Sequence, residues 1–156
     1  PDMPRGVCVV EELAYVADRR SGLHIIDVSN AAEPEEVSSI DTPGEADGVA
    51  VEGDYAYVAD DGGGLRVIDI SNPAEPAEAG VFDTDGRAFD VAVNGHYAYI
   101  ADGYSSGLQI ADIDPPASAF LLTGLDVPGA ARAISLEDNY AYIAAEAGGL
   151  RIIRLW

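Results

Sequence analysis

The stretch "DYAYVADDGGGLRVIDIS", Asp54 to Ser71, decides the fold because the chain writes nearly the same line four times. Its core, Ala-Tyr-(Val/Ile)-Ala, opens at Ala14, Ala56, Ala98 and Ala141, at spacings of 42, 42 and 43 residues. A period of this length means one supersecondary unit per repeat, each burying its apolar faces against its neighbours. Around the core the plan is constant. A first strand reads "GVCVV" from Gly6, "GVAVE" from Gly48, "DVAVN" from Asp90 and "AISLE" from Ala133. A tight turn follows, clearest at Gly53-Asp54 and Asn94-Gly95, and leads into the Tyr-rich second strand. A Gly- and Ser-rich turn precedes the third strand, "GLHIIDVS", "GLRVIDIS", "GLQIADID" and "GLRIIRLW". A Pro- and Glu-rich loop then leads to a weaker fourth strand, "EEVSSID", "AEAGVFD" and "AFLLTGLD", which has no counterpart after the last repeat.

No segment carries the 3.6-residue apolar spacing of a helical solenoid, whereas four short antiparallel strands every 40-odd residues match a propeller blade. In the second strand Tyr55 and Tyr57 point to one face and Ala56 and Val58 to the other, so both faces are apolar, as in a sheet covered on both sides. The middle residues of the first strand, Cys8, Ala50, Ala92 and Ser135, are small, as the crowded axis of a propeller requires. The expected fold is all-β, a propeller of four-stranded antiparallel blades about 42 residues long. The repeat units lie at approximately 5–46, 47–88, 89–131 and 132–156, within one domain or half-propeller whose last blade lacks its outer strand.

The third-strand motif, together with "AYVAD" and "DTPG", resembles the LVIVD repeat family of bacterial and archaeal proteins. The resemblance covers essentially the whole chain. It implies a β-propeller, commonly part of a cell-surface or secreted protein. The fourth repeat departs from the pattern, with Arg154 where Asp27, Asp69 and Asp112 stand.

The chain has 156 residues, 28 Asp plus Glu and 8 basic residues, every one of them Arg, for a net charge of −20. Such a surface repels phosphate backbones and anionic headgroups, so nucleic acid is not an expected partner. The Lys-free acidic composition is like that of proteins from salt-loving microbes, in which screening removes self-repulsion. No apolar run approaches the roughly 20 residues of a membrane-spanning helix, so no membrane insertion is expected. The opening "PDMPRG" has neither an initiator Met nor a signal pattern and reads as a segment of a longer polypeptide. Cys8 stands alone, which leaves no internal disulfide and no cysteine-based metal site.

Three closures of the ring are open: a small four-bladed ring, a dimer of four-blade halves making eight blades, or further repeats of a longer parent. Self-association or a longer parent is favoured, because a free end blade would expose an apolar face.

The repeated aspartates are read mainly as turn residues satisfying backbone N–H groups: Asp18, Asp60 and Asp102, Asp27, Asp69 and Asp112, and Asp41, Asp83 and Asp126. The one local calcium candidate is "DTDGRAFD", where Asp83, Asp85 and Asp90 bracket a Gly turn; otherwise no cofactor is expected. The column entering each first strand, Arg5, Asp47, Phe89 and Arg132, is the least alike and is placed at one mouth of the channel. There Arg5 and Arg132 would anchor a carboxylate-bearing ligand or an acidic partner. The third-strand column His24, Arg66, Gln109 and Arg151 is expected to face solvent or a groove between blades, and His96 to be a turn residue. The longer turn "DGYSSGL" offers Tyr104 as a contact point on an extended hairpin. The expected function is a noncatalytic binding or assembly scaffold of an extracellular or cell-surface protein, making protein or glycan contacts. The alternative is a calcium-dependent module or enzyme using carboxylates at the channel mouth.

Overall fold

The computed structural model describes residues 1–155, without the side chains of residues 104 and 105. Among the described residues fifteen strands form four antiparallel sheets, each built from strands consecutive in sequence. Blade 1 holds β1 (Pro4–Val10), β2 (Leu13–Asp18), β3 (Gly22–Asp27) and β4 (Glu35–Ile40). Blade 2 holds β5 (Gly48–Glu52), β6 (Tyr55–Ala59), β7 (Leu65–Asp69) and β8 (Ala77–Phe82). Blade 3 holds β9 (Asp90–Asn94), β10 (Tyr97–Ala101), β11 (Leu108–Asp112) and β12 (Phe120–Leu125). Blade 4 has three strands, β13 (Ala131–Glu137), β14 (Tyr140–Ala145) and β15 (Gly149–Arg154). The sequence motifs sit where expected, with Ala56 of β6 opposite Val51 and Ile68. Every third strand is entered through a glycine in the left-handed region, Gly22, Gly64, Gly107 and Gly149, at φ between 62° and 75°. That conformation fixes this column as Gly.

Each blade has two faces, and period-2 alternation decides which side chains each receives. Tyr57 and Ala59 of β6 pack with Val91, Ala98 and Ile100 of blade 3, whereas Ala56 and Val58 pack with Tyr15, Leu23 and Ile25 of blade 1. We call the face toward the following blade leading and the other trailing. Three seams result, 1–2, 2–3 and 3–4, each filled by the same columns: a leading Tyr, Ala, Leu and Ile/Val against trailing Val/Ile and Ala. Burying each large aliphatic side chain is worth about 1.5–3 kcal/mol, so the seams and not the individual sheets hold the chain together.

The inner strands pack in order around a common axis, β1 on β5, β5 on β9 and β9 on β13. The approach is close. A Cβ at Gly6 would meet Asp47 O at 2.8 Å, and one at Gly48 would meet Asp90 at 2.7 Å. Cys8, Ala50 and Ala92 lie partly buried under the following blade, which is the packing reason for their size. Among the described residues β13 has no comparable packing on β1. Accordingly Leu150 and Ile152 on the leading face of blade 4 are 64% and 57% exposed, and Val7 and Val9 on the trailing face of blade 1 are 65% and 60% exposed.

The longer turn of the third repeat is not an extended hairpin. It closes a single helical turn, α1 (Gly103–Ser106). The side chain of Tyr104 lies outside the described residues, so the contact expected of it has no structural account.

Candidate functional site

The variable column does converge. Arg5, Asp47, Phe89 and Arg132 stand where β1, β5, β9 and β13 begin, and together with Arg19 they line one recess of about 320 Å³ at that end of the axis. Strand starts become neighbours there because the inner strands run side by side in the same sense around the axis. Arg19 grips Asp47 through two hydrogen bonds, Nε to Oδ1 at 2.6 Å and Nη2 to Oδ2 at 3.0 Å, and its Nη1 lies 3.6 Å from Glu45. The two-point geometry and the burial of Asp47 make this the strong pair of the site. Arg5 is half exposed and only 3.9 Å from the same carboxylate. Arg132 places its guanidinium carbon 4.0 Å from the Phe89 ring centre while donating to Glu146 at 2.7 Å, and Arg87 lies 5.8 Å from the same ring. A chain with eight Arg and 28 acids thus brings three of those Arg to one recess, with Arg87 beside its Phe89.

Arg19 is the member that the repeat columns did not single out. It belongs to the position after the second-strand Asp, occupied by Arg19, Asp61, Gly103 and Glu146, a column as unlike as the first. The two variable columns pair with either sign at Arg19 on Asp47 and Glu146 on Arg132, while Asp61 holds Arg87, two residues before Phe89, with both bonds at 2.6 Å. Gly103 leaves room for the Phe89 ring.

Asp18, Asp60 and Asp102 do more than cap local turns. All three are fully buried. Asp60 accepts from Thr42 Oγ1 at 2.6 Å and from Gly44 N at 2.8 Å, both on the loop that leaves blade 1. Asp102 accepts from Gly86 N at 3.0 Å on the equivalent loop, and Asp18 from Met3 N at 2.6 Å. Each therefore ties its blade to the segment that precedes it. The polar third-strand column serves the same acids and is not a solvent face: Gln109 Nε2 donates to Asp102 at 2.9 Å, Arg66 Nε lies 3.5 Å from Asp60, and His24 bonds Ser21, itself a donor to Asp18. Burial pushes the Asp60 carboxyl up, against the pull of Thr42, Gly44 and Arg66. Asp102 is likewise pushed up by burial. For Asp18 burial also acts upward, but the donors at Arg20, Met3 and Ser21 outweigh it and hold the carboxyl low.

Asp27, Asp69 and Asp112 do cap turns, accepting from Ser29 N, Ser71 N and Asp114 N at 2.8, 2.9 and 3.0 Å. His96 lies in its turn, 2.8 Å from Asp114. The calcium candidate is not assembled. Asp83 and Asp85 are exposed on the loop, while the Asp90 carboxylate turns into the 3–4 seam and accepts from Val91 N and Ile134 N, both at 2.9 Å. Asp90 occupies the column of Gly6 and Gly48, where its side chain fills the space a glycine leaves, and burial pushes its carboxyl up. Among the described residues no three His, Cys, Asp or Glu side chains are grouped to hold a metal.

The free edge of β15, where the other blades carry a fourth strand, borders a groove of about 260 Å³ lined by Val127, Pro128, Leu150 and Ile152. Arg151 and Arg154 lie along that strand, charges of the kind that blunt an exposed edge.

Similar folds are found in designed and natural proteins. The chain superposes on the computationally designed Ika4 protein with a TM-score of 0.78 at 11% identity, covering 98% of this chain and 91% of that one. On the designed Ika8 protein the TM-score is 0.76 at 10% identity, and the 97% of this chain that matches spans 46% of that chain. A functionally unknown protein from Desulfotomaculum acetoxidans gives 0.76 at 15% identity, with 97% and 55% covered. These likenesses concern the fold. No curated protein matches the sequence. The LVIVD repeat model matches four times, over residues 3–42, 43–84, 85–125 and 128–153, in step with the four blades, and the chain therefore belongs to the LVIVD repeat family.

Proposed function

We propose that this propeller is a noncatalytic binding scaffold of a surface-exposed or secreted protein, and that it takes an anionic ligand at the mouth where the inner strands begin. The observation that carries the reading is the convergence of Arg5, Arg19, Arg132 and Phe89 on one recess of an otherwise strongly acidic chain. Against a net charge of −20, a local cluster of guanidinium groups is the part of the surface to which a carboxylate can come without general repulsion. The planar, forked guanidinium matches a carboxylate in two-point geometry, and the Phe89 ring and Glu146 together hold the Arg132 guanidinium in place at the recess. Asp47, buried beneath Arg19, fixes that side chain and sets the floor of the recess. An acidic peptide segment or an acidic sugar fits this chemistry, in line with the protein and glycan contacts expected from the sequence.

Calorimetric titration with a short oligoglutamate and with a uronic-acid oligosaccharide tests it. Saturable binding that Arg132→Gln weakens at least about tenfold supports the reading. No saturable heat with either ligand, or equal binding by the variant, contradicts it.

A further inference from the structure

The same columns that close three seams stand bare at the two ends of the chain. Leu23, Leu65 and Leu108 on leading faces are fully buried, as are Ile25, Val67 and Ile110; their equivalents in blade 4, Leu150 and Ile152, are 64% and 57% exposed. On trailing faces Val49, Val91 and Ile134 are buried, and their equivalent in blade 1, Val7, is 65% exposed. One end therefore presents a leading face and the other a trailing face, the two surfaces that mate in every internal seam. Among the described residues β13 and β1 do not pack as the other inner strands do.

We propose that two copies of this chain join head to tail, the leading face of blade 4 of each on the trailing face of blade 1 of the other, to make a two-fold ring of eight blades. The occupant is read from the seams themselves. A surface whose partner is specified three times over by the chain's own packing is complementary to that partner when a second copy brings it. Charge agrees with the fit. In the 1–2 seam the residue after the second-strand Asp, Arg19, holds the residue opening the next inner strand, Asp47. At the open ends those two positions are Glu146 and Arg5, of opposite charge again, with the sign reversed. Arg5 is half exposed and only loosely placed beside Asp47, so it can turn toward Glu146 of the second copy and share that carboxylate with Arg132. A head-to-tail contact either closes or propagates, and closure with two copies leaves neither apolar face in water. Each chain carries a net charge of −20, so the ring forms in high salt and is opposed in low salt.

The test is light scattering after size exclusion in molar potassium chloride. The wild-type chain is expected at twice its 16.3 kDa mass. Ile152→Glu and Val7→Glu, each changing an exposed side chain, are expected to run as folded single chains with unaltered far-UV circular dichroism. Their mixture retains one intact seam and is expected to give a one-to-one pair about 100-fold weaker than the wild-type dimer. A single-chain mass for the wild type at high salt and high concentration overturns the proposal. So does a ladder of larger species, which would mean propagation, or a two-chain mass that persists in both variants. The two readings fail separately: Ile152→Glu leaves Arg5, Arg132 and Phe89 unchanged, so ligand titration of that single-chain variant reports on the binding reading alone.

Discussion

The hydroxyl of Thr42 donates to the carboxylate of Asp60 at 2.6 Å, and this one contact fastens the loop leaving the first blade to the second strand of the next. In the last blade both partners are gone together. Val127 stands where Thr42 and Thr84 do, and Ala145 where Asp60 and Asp102 do. Losing donor and acceptor as a pair leaves no buried hydroxyl facing an empty site, which is the cheaper way to drop a hydrogen bond.

That pairing sets the first prediction. Thr42→Val removes one donor and is expected to cost about 1 kcal/mol, whereas Asp60→Ala strands Thr42, Gly44 N and Arg66 and is expected to cost about 2–3 kcal/mol. The double variant reproduces the last blade and should cost less than the sum by about 1 kcal/mol. Urea unfolding of the four proteins measures the coupling, and strict additivity would show that the two groups do not act as a unit.

Acidity should stabilise the fold before it destroys it. Burial raises the carboxyls of Asp60, Asp90 and Asp102, so the folded state binds their protons more tightly than the unfolded state does. Stability then rises as pH falls from neutrality through their raised values toward the unfolded value near 3.8. Asp18, Asp27 and Asp69 are held low, and what they contribute is present above the unfolded value and lost below it. Thermal melts at low salt should therefore peak on the acid side of neutrality, above the unfolded carboxylate value, and fall again below it. A midpoint that falls steadily from pH 7.5 downward would go against this assignment.

Salt should act in the same direction as mild acid. With 28 acids, 8 Arg and no Lys, the folded surface repels itself at low ionic strength, and a Debye length of about 3 Å at 1 M removes most of that repulsion. A melting midpoint at least about 5 °C higher in molar than in millimolar potassium chloride is expected at neutral pH. An unchanged midpoint would mean that the acids are balanced locally.

Gly48→Ala probes how closely the inner strands approach. The added methyl would lie 2.7 Å from the Asp90 carboxylate and 2.8 Å from its Cα, inside contact distance. Overpacking there should cost about 1–3 kcal/mol in urea unfolding, while Gly53→Ala, in open space on a hairpin, reports only the cost of its positive φ.

The period and its alternating strands were enough to give the blades, their order and the convergence of Arg5, Asp47, Phe89 and Arg132, because register within a sheet is local and repeats fix what is equivalent. The inter-blade ties were not legible from the strand patterns. Asp60 and Thr42 are 18 residues apart, each just past a strand of a different blade, and their meeting depends on how blades stack. The joint change to Val127 and Ala145 is present in the sequence, and its meaning emerges only when the two columns are set beside each other. Arg19 escaped for a related reason. It lies in a turn between strands, and its reach to Asp47 crosses a seam. The calcium reading of Asp83, Asp85 and Asp90 followed spacing along the chain, whereas the Asp90 side chain is claimed by backbone N–H groups of its own strand and of β13.

The most direct check on the whole account is thiol labelling at two equivalent positions, Ile110→Cys and Ile152→Cys, each in a Cys8→Ala background. Both residues occupy the same column, one fully buried in a seam and the other 57% exposed. In dilute, low-salt solution Ile152→Cys should label rapidly and Ile110→Cys slowly, and in concentrated protein at molar salt Ile152→Cys should become protected as well. Equal labelling of the two under dilute conditions would contradict the stacked-blade seams, and an Ile152→Cys rate indifferent to concentration and salt would contradict the second copy.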